Sequence, residues 1–269
     1  MILANHGILS SSGGVSFDAD ALAFITAASI TDNTQKTAVN TLVTDLKAYN
    51  IWTKMKAIYP FVGGSATSHK WNLKDARDLD AAFRLTFNGG WTHSSTGALP
   101  NGTTGYANTN LLPSSILLQN DTHISYYSRT NTSSGGVDFG SVDSGFSGAL
   151  YATIKDADGK TYFRVNRSSA SSESIIVMGN TNIFYMINRT SSTNESLFIN
   201  NTKSSFVKTS TGLSTFPISL GCLNVTSTNQ YFASKEAACV TIGNGLSDTE
   251  AANLYAAVQA FNTTLSRQV

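Results

Sequence analysis

The chain has 269 residues and a formal net charge of +1, and only 13% of its residues are charged. So small a charge leaves no basic surface for nucleic acid or for an anionic membrane, and we expect neither as a partner. The length suits one large domain with a full core. Ser, Thr, Asn and Gly take the place of charged residues, and such a surface is typical of β-proteins that work outside a cell.

The first 64 residues divide into an arm and a helical segment. Residues 1–14 are polar and rich in Gly and Ser, which predicts a flexible arm, and they lack the basic and apolar regions of a secretion signal. Residues 15–64 predict one helix capped by Thr31 or Asp32 and a second, short helix through residues 51–58 that ends at Pro60. We interpret this segment as a docking and assembly region whose interface consists of Leu42, Leu46, Trp52 and Met55.

Beyond this segment the apolar period changes from helical to two. Residues 71–73 and 83–87 alternate as strands do, and residues 92–104 are a predicted long loop. Further strands are predicted at residues 122–129, 137–142, 149–154, 161–165, 174–178, 183–188, 196–199, 205–208 and 216–224, with a last strand around Cys239. Many short strands at such spacing predict a mainly β protein, with an antiparallel β-sandwich of the jelly-roll type over residues 65–269.

Two hairpins are legible between these strands. The sequence Asp-Ala-Asp-Gly at residues 156–159 separates two apolar runs, and Asn200 and Asn201 separate two others. The adjacent strands are therefore expected to be antiparallel.

The sequence ends in a predicted helix. Ser247 and Glu250 have the spacing of a capping box, and the apolar residues that follow recur at helical spacing. This amphipathic helix is expected to bury its stripe, which includes Leu254 and Phe261, against the sandwich.

Three stretches of the sequence stand out together: residues 13–21 (GGVSFDADA), residues 46–64 (LKAYNIWTKMKAIYPFVGG) and residues 242–261, which begin IGNGLSDTEAA. They resemble a group of bacteriophage and metagenomic virion proteins, which is similar to the concanavalin A-like lectin and laminin-G superfamily. The resemblance implies a concanavalin A-like sandwich on the outside of a phage particle, as a capsid decoration, head fibre or tail fibre component. It implies no particular ligand and no binding residue.

The acidic residues do not form the paired carboxylates of a sandwich glucanase. The chain has only four glutamates, and none has a second acid two or four residues away within a strand: Glu173, Glu195, Glu236 and Glu250. No Ser or Cys stands in a nucleophile-elbow sequence. We therefore expect no enzyme, although a glycosidase built from Asp143, Asp156 or Asp158 stays open as an alternative.

The sequence offers few candidate metal ligands and only two cysteines. We expect no cofactor. Asp75, Asp78 and Asp80 could hold calcium, but Lys74, Arg77 and Arg84 stand beside them and offer ion pairs instead. Cys222 and Cys239 could pair if their strands were neighbours, and we expect two buried thiols rather than a disulfide. His69, His93 and His123 could form a site only if loops brought them together.

Exposed aromatic rings are the candidate carbohydrate contacts, because such a ring suits the apolar face of a pyranose. Trp91, Tyr126 and Tyr127 are the candidates. Strand alternation places Tyr126 and Tyr127 on opposite faces, so at least one is expected to point outward unless a neighbour covers it.

These observations favour a non-enzymatic structural protein on the surface of a bacteriophage particle. Its expected partners are other virion proteins, further copies of itself in a homo-oligomer, and host surface glycan. A lectin-like receptor-binding module for host polysaccharide is the first alternative, and a polysaccharide depolymerase the second.

Overall fold

The computed structural model describes residues 16–143, 145 and 147–269, so the predicted arm at residues 1–14 lies outside the described residues. Five α-helices lie in this part of the chain: α1 (Ala19–Ala27), α2 (Asn33–Ala48), α3 (Ala66–His69), α4 (Pro113–Ile116) and α5 (Asp248–Thr264). Short 3-10 turns lie at Trp52–Lys54 and Asp80–Ala82. The described helices include none with the length and apolarity needed to cross a bilayer.

The rest of the described chain is mainly β. In chain order, the strands are β1 (Met55–Tyr59), β2 (Thr86–Asn88), β3 (Trp91–Ser94), β4 (Gly97–Pro100), β5 (Tyr106–Asn108), β6 (Thr122–Ser128), β7 (Phe139–Val142), β8 (Ala149–Thr153), β9 (Lys160–Arg167), β10 (Ser174–Val177), β11 (Ile183–Arg189), β12 (Asn194–Ile199), β13 (Thr202–Val207), β14 (Ser219–Leu220), β15 (Leu223–Val225), β16 (Thr228–Gln230) and β17 (Ala237–Gly243).

These strands form two sheets. The first, which we call the helix-covered sheet, has the order β13-β12-β11-β6-β17-β4-β3, and β1 also pairs with β17. The second, the open sheet, has the order β10-β9-β8-β7-β14-β5-β2, with β15 and β16 attached beside β7. The named strands pair antiparallel except β15 with β7. The prediction of a mainly β, antiparallel sandwich is confirmed, as are both hairpins, which join β8 to β9 and β12 to β13.

The main core lies between the two sheets, because each strand turns alternate side chains inward. Ile124 and Tyr126 of β6 point into this core, and they meet Phe139, Leu150 and Phe163 from the open sheet. Tyr127, the next residue of β6, points to the other side. The sequence alternates with the same period of two. The pairing register of the strands therefore places the apolar residues on the buried face.

A layer of helices covers the outer face of the helix-covered sheet. Helices α1, α2 and α5 pack on Phe184, Met186 and Phe198 of that sheet in a second core. The capping box of α5 is present, since the Ser247 hydroxyl accepts from the Glu250 amide at 3.3 Å and the Glu250 carboxylate accepts from the Ser247 amide at 2.8 Å. The expectation of a closing C-terminal helix is confirmed.

Residues 16–64 of the predicted docking segment pack against the two sheets and contribute one strand to them. Residues 55–59 form strand β1 rather than a helix, and β1 pairs with β17. Both faces of β1 are buried, since Ile58 faces the helices and Tyr59 faces the other sheet. Apolar residues therefore occur on both sides of the strand, and their spacing resembles that of a helix. The predicted interface residues are buried within their own chain and are no docking surface: Leu42, Leu46, Trp52 and Met55.

The region before β3 also differs from the prediction. Residues 71–73 form a loop with an isolated bridge from Asn72 to Asp75, not a strand. Strand β2 begins only at Thr86, because Phe83 adopts a left-handed conformation (φ +58°) at the end of the Asp80–Ala82 turn. The predicted loop at residues 92–104 contains most of β3 and all of β4, whose many Thr, Ser and Gly residues conceal them in the sequence.

One buried ion cluster ties the two sheets together. Glu195 of β12 accepts from Arg167 of β9 and from Arg189 of β11 at 3.1 Å each, and all three side chains are fully buried. The carboxylate also accepts from the Val165 amide at 3.0 Å. Because a buried charge without a partner is costly, these residues hold β9 against β11 and β12.

Candidate functional site

A cavity of about 530 Å³ opens on the outer face of the open sheet. We call it the sheet cavity. Its lining comes from strands β7, β8, β9, β15 and β16 and from the loops beside them, and consists of Val137, Val142, Tyr151, Thr153, Asp156, Tyr162, Arg164, Ser169, Glu173, Leu223, Val225, Gln230 and Tyr231.

The β8–β9 hairpin places the central side chains of the cavity. Leu150 and Phe163 point into the main core, so their neighbours Tyr151 and Arg164 point outward. The hairpin register sets Tyr151 opposite Arg164. The guanidinium lies over the phenol ring, with Cζ 5.4 Å from the ring centroid.

The floor of the cavity is apolar. Val137, Val142 and Leu223 pack with Tyr151 into a small cluster on the outer face of the sheet. Each of these side chains is less than a tenth exposed. The floor is therefore an apolar surface that strands β7, β8 and β15 mostly supply, through Val142, Tyr151 and Leu223.

A polar row runs along one wall. The Tyr151 hydroxyl donates to the Glu173 carboxylate, and the Arg164 guanidinium donates to the Tyr151 hydroxyl. Arg164 also donates to the Ser171 carbonyl at 2.5 Å and lies 3.7 Å from the Glu173 carboxylate. Burial, and then the bond to Glu173, raises the pKa of Tyr151 well above its ordinary value. The phenol is therefore held protonated and oriented.

Two further tyrosines stand at the rim. Tyr231 is 63% exposed. Tyr162 donates to the Asp158 carboxylate at 2.5 Å, and Lys160 contacts that same carboxylate at 2.8 Å. Lys160, followed by Tyr162, lowers the pKa of Asp158 to about 2, so this carboxylate is charged. The rim thus offers one free ring and one ring fixed by an ion pair.

This arrangement can hold a ligand that has both apolar faces and hydroxyl groups. The floor and the Tyr231 ring present apolar surface, while Glu173, Asp156 and Gln230 supply acceptors and donors. Binding sites for small molecules commonly combine an apolar lining with a few oriented polar groups.

The predicted carbohydrate contacts lie elsewhere, and the structure corrects that expectation. Tyr126 is 2% exposed and donates to the Lys235 carbonyl at 2.7 Å inside the main core. Tyr127 points outward from the sheet, but α5 covers it, and it donates to Gln259 at 2.8 Å. Trp91 is half-buried on β3, its N–H donates to the carbonyls of Asn88 and Tyr106, and it does not line the sheet cavity.

The other sequence candidates are structural. Each acid of the predicted calcium cluster forms an ion pair, Asp75 with Arg77, Asp78 with Lys70 and Arg84, and Asp80 with Arg84. Of the three cations that the sequence offers, Arg77 and Arg84 form these ion pairs, whereas Lys74 lies over the Trp52 ring instead. Among the described residues, no three His, Cys, Asp or Glu side chains lie close enough together to hold a metal ion.

The histidines and cysteines named in the sequence analysis also have structural positions. His69 and His93 meet through their Nδ1 atoms at 2.9 Å, whereas His123 lies apart and bonds to Asn244 and Thr241. Cys222 and Cys239 are buried free thiols, as expected. Cys239 lies in β17 of the helix-covered sheet, and Cys222 lies in the turn between β14 and β15 of the open sheet.

Sequence reasoning names Asp156 but misses most of the residues that build the sheet cavity. The sequence does contain a pattern that identifies Tyr151 and Arg164. Each follows a core residue, Leu150 or Phe163, in a strand of the predicted hairpin, so each is expected on the outer face of the sheet. Glu173 and Tyr231 gave no such signal because both lie in loops, and only the tertiary fold brings them to the strands.

No protein-family model and no curated protein matches the chain. Among solved structures, domain 4 of AbnA, a GH43 extracellular arabinanase from Geobacillus stearothermophilus solved in complex with arabinotriose, is similar at 14% identity. The alignment covers 75% of this chain and 98% of that chain, with a TM-score of 0.49.

Two toxin domains are similar as well. The botulinum neurotoxin serotype D binding domain is 11% identical over 77% of this chain and 52% of its own, and the binding domain of Paraclostridial Mosquitocidal Protein 1 is 13% identical over 76% and 52%, each with a TM-score of 0.49. This chain spans about half the length of those two. These similarities concern the sandwich fold and assign no ligand to this chain.

Proposed function

We propose that the chain is a lectin-like module that binds a neutral oligosaccharide in the sheet cavity without cleaving it. The observation that carries the proposal is the sheet cavity itself, where an exposed Tyr231 ring stands above an apolar floor beside the polar row of Tyr151, Arg164 and Glu173.

The size and chemistry of the cavity fit a few sugar units. Ligand pockets commonly enclose roughly 300–1,000 Å³, and this cavity lies within that range. A tyrosine ring can stack on the apolar face of a pyranose while its hydroxyl forms hydrogen bonds. Carboxylate and amide groups such as those of Glu173 and Gln230 are suitable partners for sugar hydroxyls.

The charges favour a neutral ligand. Among the described lining residues, Arg164 is the only cation, and its guanidinium already bonds to Tyr151 and Ser171. Glu173 and Asp156 add two carboxylates. An acidic sugar would bring a further negative charge to a site without a free cation, so it would bind more weakly.

The polar row suits binding better than hydrolysis. Retaining glycosidases need a free nucleophile and a second acid across the scissile bond. Here the phenol of Tyr151 stays protonated because burial raises its pKa, and Glu173 accepts the phenol hydrogen bond. Release of reducing ends from host polysaccharides that the protein binds would contradict this part of the proposal.

A glycan array with the full chain tests the binding site, with neutral oligosaccharides, arabinotriose included, beside acidic ones. We expect binding to neutral glycans and a loss of about tenfold in affinity for Tyr231→Ala, since aromatic contacts contribute about 0.5–1.5 kcal/mol beyond the area that they bury. Tyr49→Ala is the matched control, because Tyr49 is 38% exposed at the end of α2 on the opposite side of the sandwich. Equal binding by both variants would contradict the proposal.

The setting that we propose for this module is the outer surface of a bacteriophage particle, with host surface glycan as its ligand. The support is the sequence resemblance described above. Attachment through Leu42, Leu46, Trp52 and Met55 is not part of the proposal, because these side chains are buried in their own chain. Mass spectrometry of purified particles tests the setting independently of the glycan array, and absence of the chain from particles would contradict it.

A further inference from the structure

A lysine and an aspartate meet inside the sandwich with almost no other partners. Both side chains are 0% exposed, and Lys235 Nζ lies 3.5 Å from Asp138 Oδ2. Asp138 comes directly before β7 of the open sheet, and Lys235 comes two residues before β17 of the helix-covered sheet. The pair therefore connects the two sheets across the core.

The bonding of the amine is poor for an ammonium ion. An ammonium has three donors, yet among the described residues Lys235 Nζ has only two long contacts, the one to Asp138 and one of 3.4 Å to the Lys155 carbonyl. A buried ion pair with so few hydrogen bonds is costly. Transfer of one proton from the amine to the carboxylate removes both charges and with them this cost, and burial raises the pKa of Asp138 accordingly.

The two carboxyl oxygens of Asp138 have different environments. Oδ2 accepts from the Ile154 amide at 2.7 Å, whereas Oδ1 is buried and has no hydrogen-bond partner among the described residues. A backbone N–H on one oxygen stabilises the negative charge that this oxygen gains when a nucleophile attacks the carbon. The other oxygen is free to leave.

We propose that Lys235 and Asp138 condense to an intramolecular isopeptide bond that links the two sheets. The neutral amine attacks Cγ of the protonated carboxyl group, and the Nζ–Cγ bond forms. The Cγ–Oδ1 bond breaks, and Oδ1 leaves as water with the carboxyl proton and one amine proton. No oxidant or second reactant is needed. The fold holds the amine nitrogen 3.5 Å from Oδ2 of the carboxyl group that it attacks, and positioning of this kind favours reaction.

The test is the intact mass of the purified full chain under denaturing conditions. We expect the wild-type chain to weigh one water less than the mass calculated from its sequence. The Lys235→Arg variant should have its full calculated mass, since arginine does not condense. Asp138→Asn is expected to give the same product as the wild type, because the amide expels ammonia instead of water.

Peptide mapping of the wild type supplies the second readout, which does not depend on whether a variant folds. We expect one branched peptide that joins the segments of residues 138 and 235. Lys54 and Glu250 are the internal control, since they lie closer, at 2.6 Å, but are partly exposed to solvent. A wild-type mass without the loss of water, unchanged after long incubation of the folded protein, would overturn the proposal.

Discussion

The two outer faces of the sandwich are built from the same kind of strand but are used differently. On the helix-covered sheet, α1, α2 and α5 bury Tyr127 and the outward side chains around it. On the open sheet, no helix of the described chain packs on the outer apolar cluster, and the face around Tyr151 carries the sheet cavity. The comparison teaches that one face contributes mainly stability, while the other keeps apolar and polar groups accessible to a ligand.

The buried ion cluster around Glu195 should give the largest effect on stability. Glu195→Gln leaves the buried guanidinium groups of Arg167 and Arg189 without their shared carboxylate, and we expect a loss of about 3–5 kcal/mol in the free energy of unfolding. Urea denaturation measures it. Glu236→Gln is the control, because its ion pair with Arg129 is partly exposed, and it should cost less than about 1 kcal/mol. Equal losses would contradict the assigned role of Glu195.

The helix layer should give the next largest effect. Leu254 of α5 is 0% exposed, and Leu254→Ala is expected to cost about 2–5 kcal/mol because it leaves a cavity in the second core. Leu118→Ala, at a leucine that is 57% exposed, should change stability by less than about 0.5 kcal/mol. Thermal unfolding followed by circular dichroism compares them. An equal effect at Leu118, in the loop between α4 and β6, would contradict the assignment of this stabilisation to the helix layer.

Acid should weaken the fold before it affects the sheet cavity. Burial lowers the pKa of His123 to about 4 and that of His69 to about 3, whereas histidine in the unfolded chain titrates near 6.5. As the pH falls below 6.5, the unfolded chain therefore binds protons that the folded chain does not, and each of these histidines lowers the free energy of unfolding by about 1 kcal/mol per pH unit. Above pH 6.5 this contribution to stability is fully present.

Urea denaturation between pH 7 and pH 5 measures this slope, and His123→Asn should reduce it by about 1 kcal/mol per pH unit. His69 and His93 should keep the remainder, because burial lowers the pKa of each of them as well. None of the described residues that line the sheet cavity is a histidine, so glycan affinity should stay constant while the protein is folded. A slope that is unchanged in His123→Asn would contradict the assignment.

The smallest effect is expected at the polar row. Tyr151→Phe removes the hydroxyl that bonds to both Arg164 and Glu173, and we expect about a fivefold loss of glycan affinity, corresponding to one hydrogen bond of about 1 kcal/mol. Isothermal titration calorimetry measures the affinity. Tyr162→Phe is the control at the rim, where Asp158 keeps its ion pair with Lys160. An unchanged affinity in Tyr151→Phe would exclude the polar row from binding.

The sequence predicts the strands of the sandwich well where apolar and polar residues alternate, so that only one face of the strand is apolar. The β8–β9 hairpin and the capping box of α5 follow from local rules, and both are confirmed. Strand β1 is buried on both faces, which removes the period of two and makes it look helical. Alternation predicts that Tyr126 or Tyr127 points outward unless a neighbour covers it, but no local pattern shows that α5 lies above Tyr127. The sheet cavity depends on loops that come together only in the folded chain. Rules that use neighbouring residues in the sequence therefore do not predict it.

The two free thiols give the molecule a pair of built-in reporters. Cys239 lies beneath the helix layer and Cys222 lies in the turn between β14 and β15 of the open sheet, and burial raises the pKa of each thiol to about 12. Alkylating reagents need the thiolate, so both side chains are inert in the folded state. Labelling kinetics followed by mass spectrometry would time separately the opening of each half of the sandwich in the unmodified protein, without a probe being engineered into it.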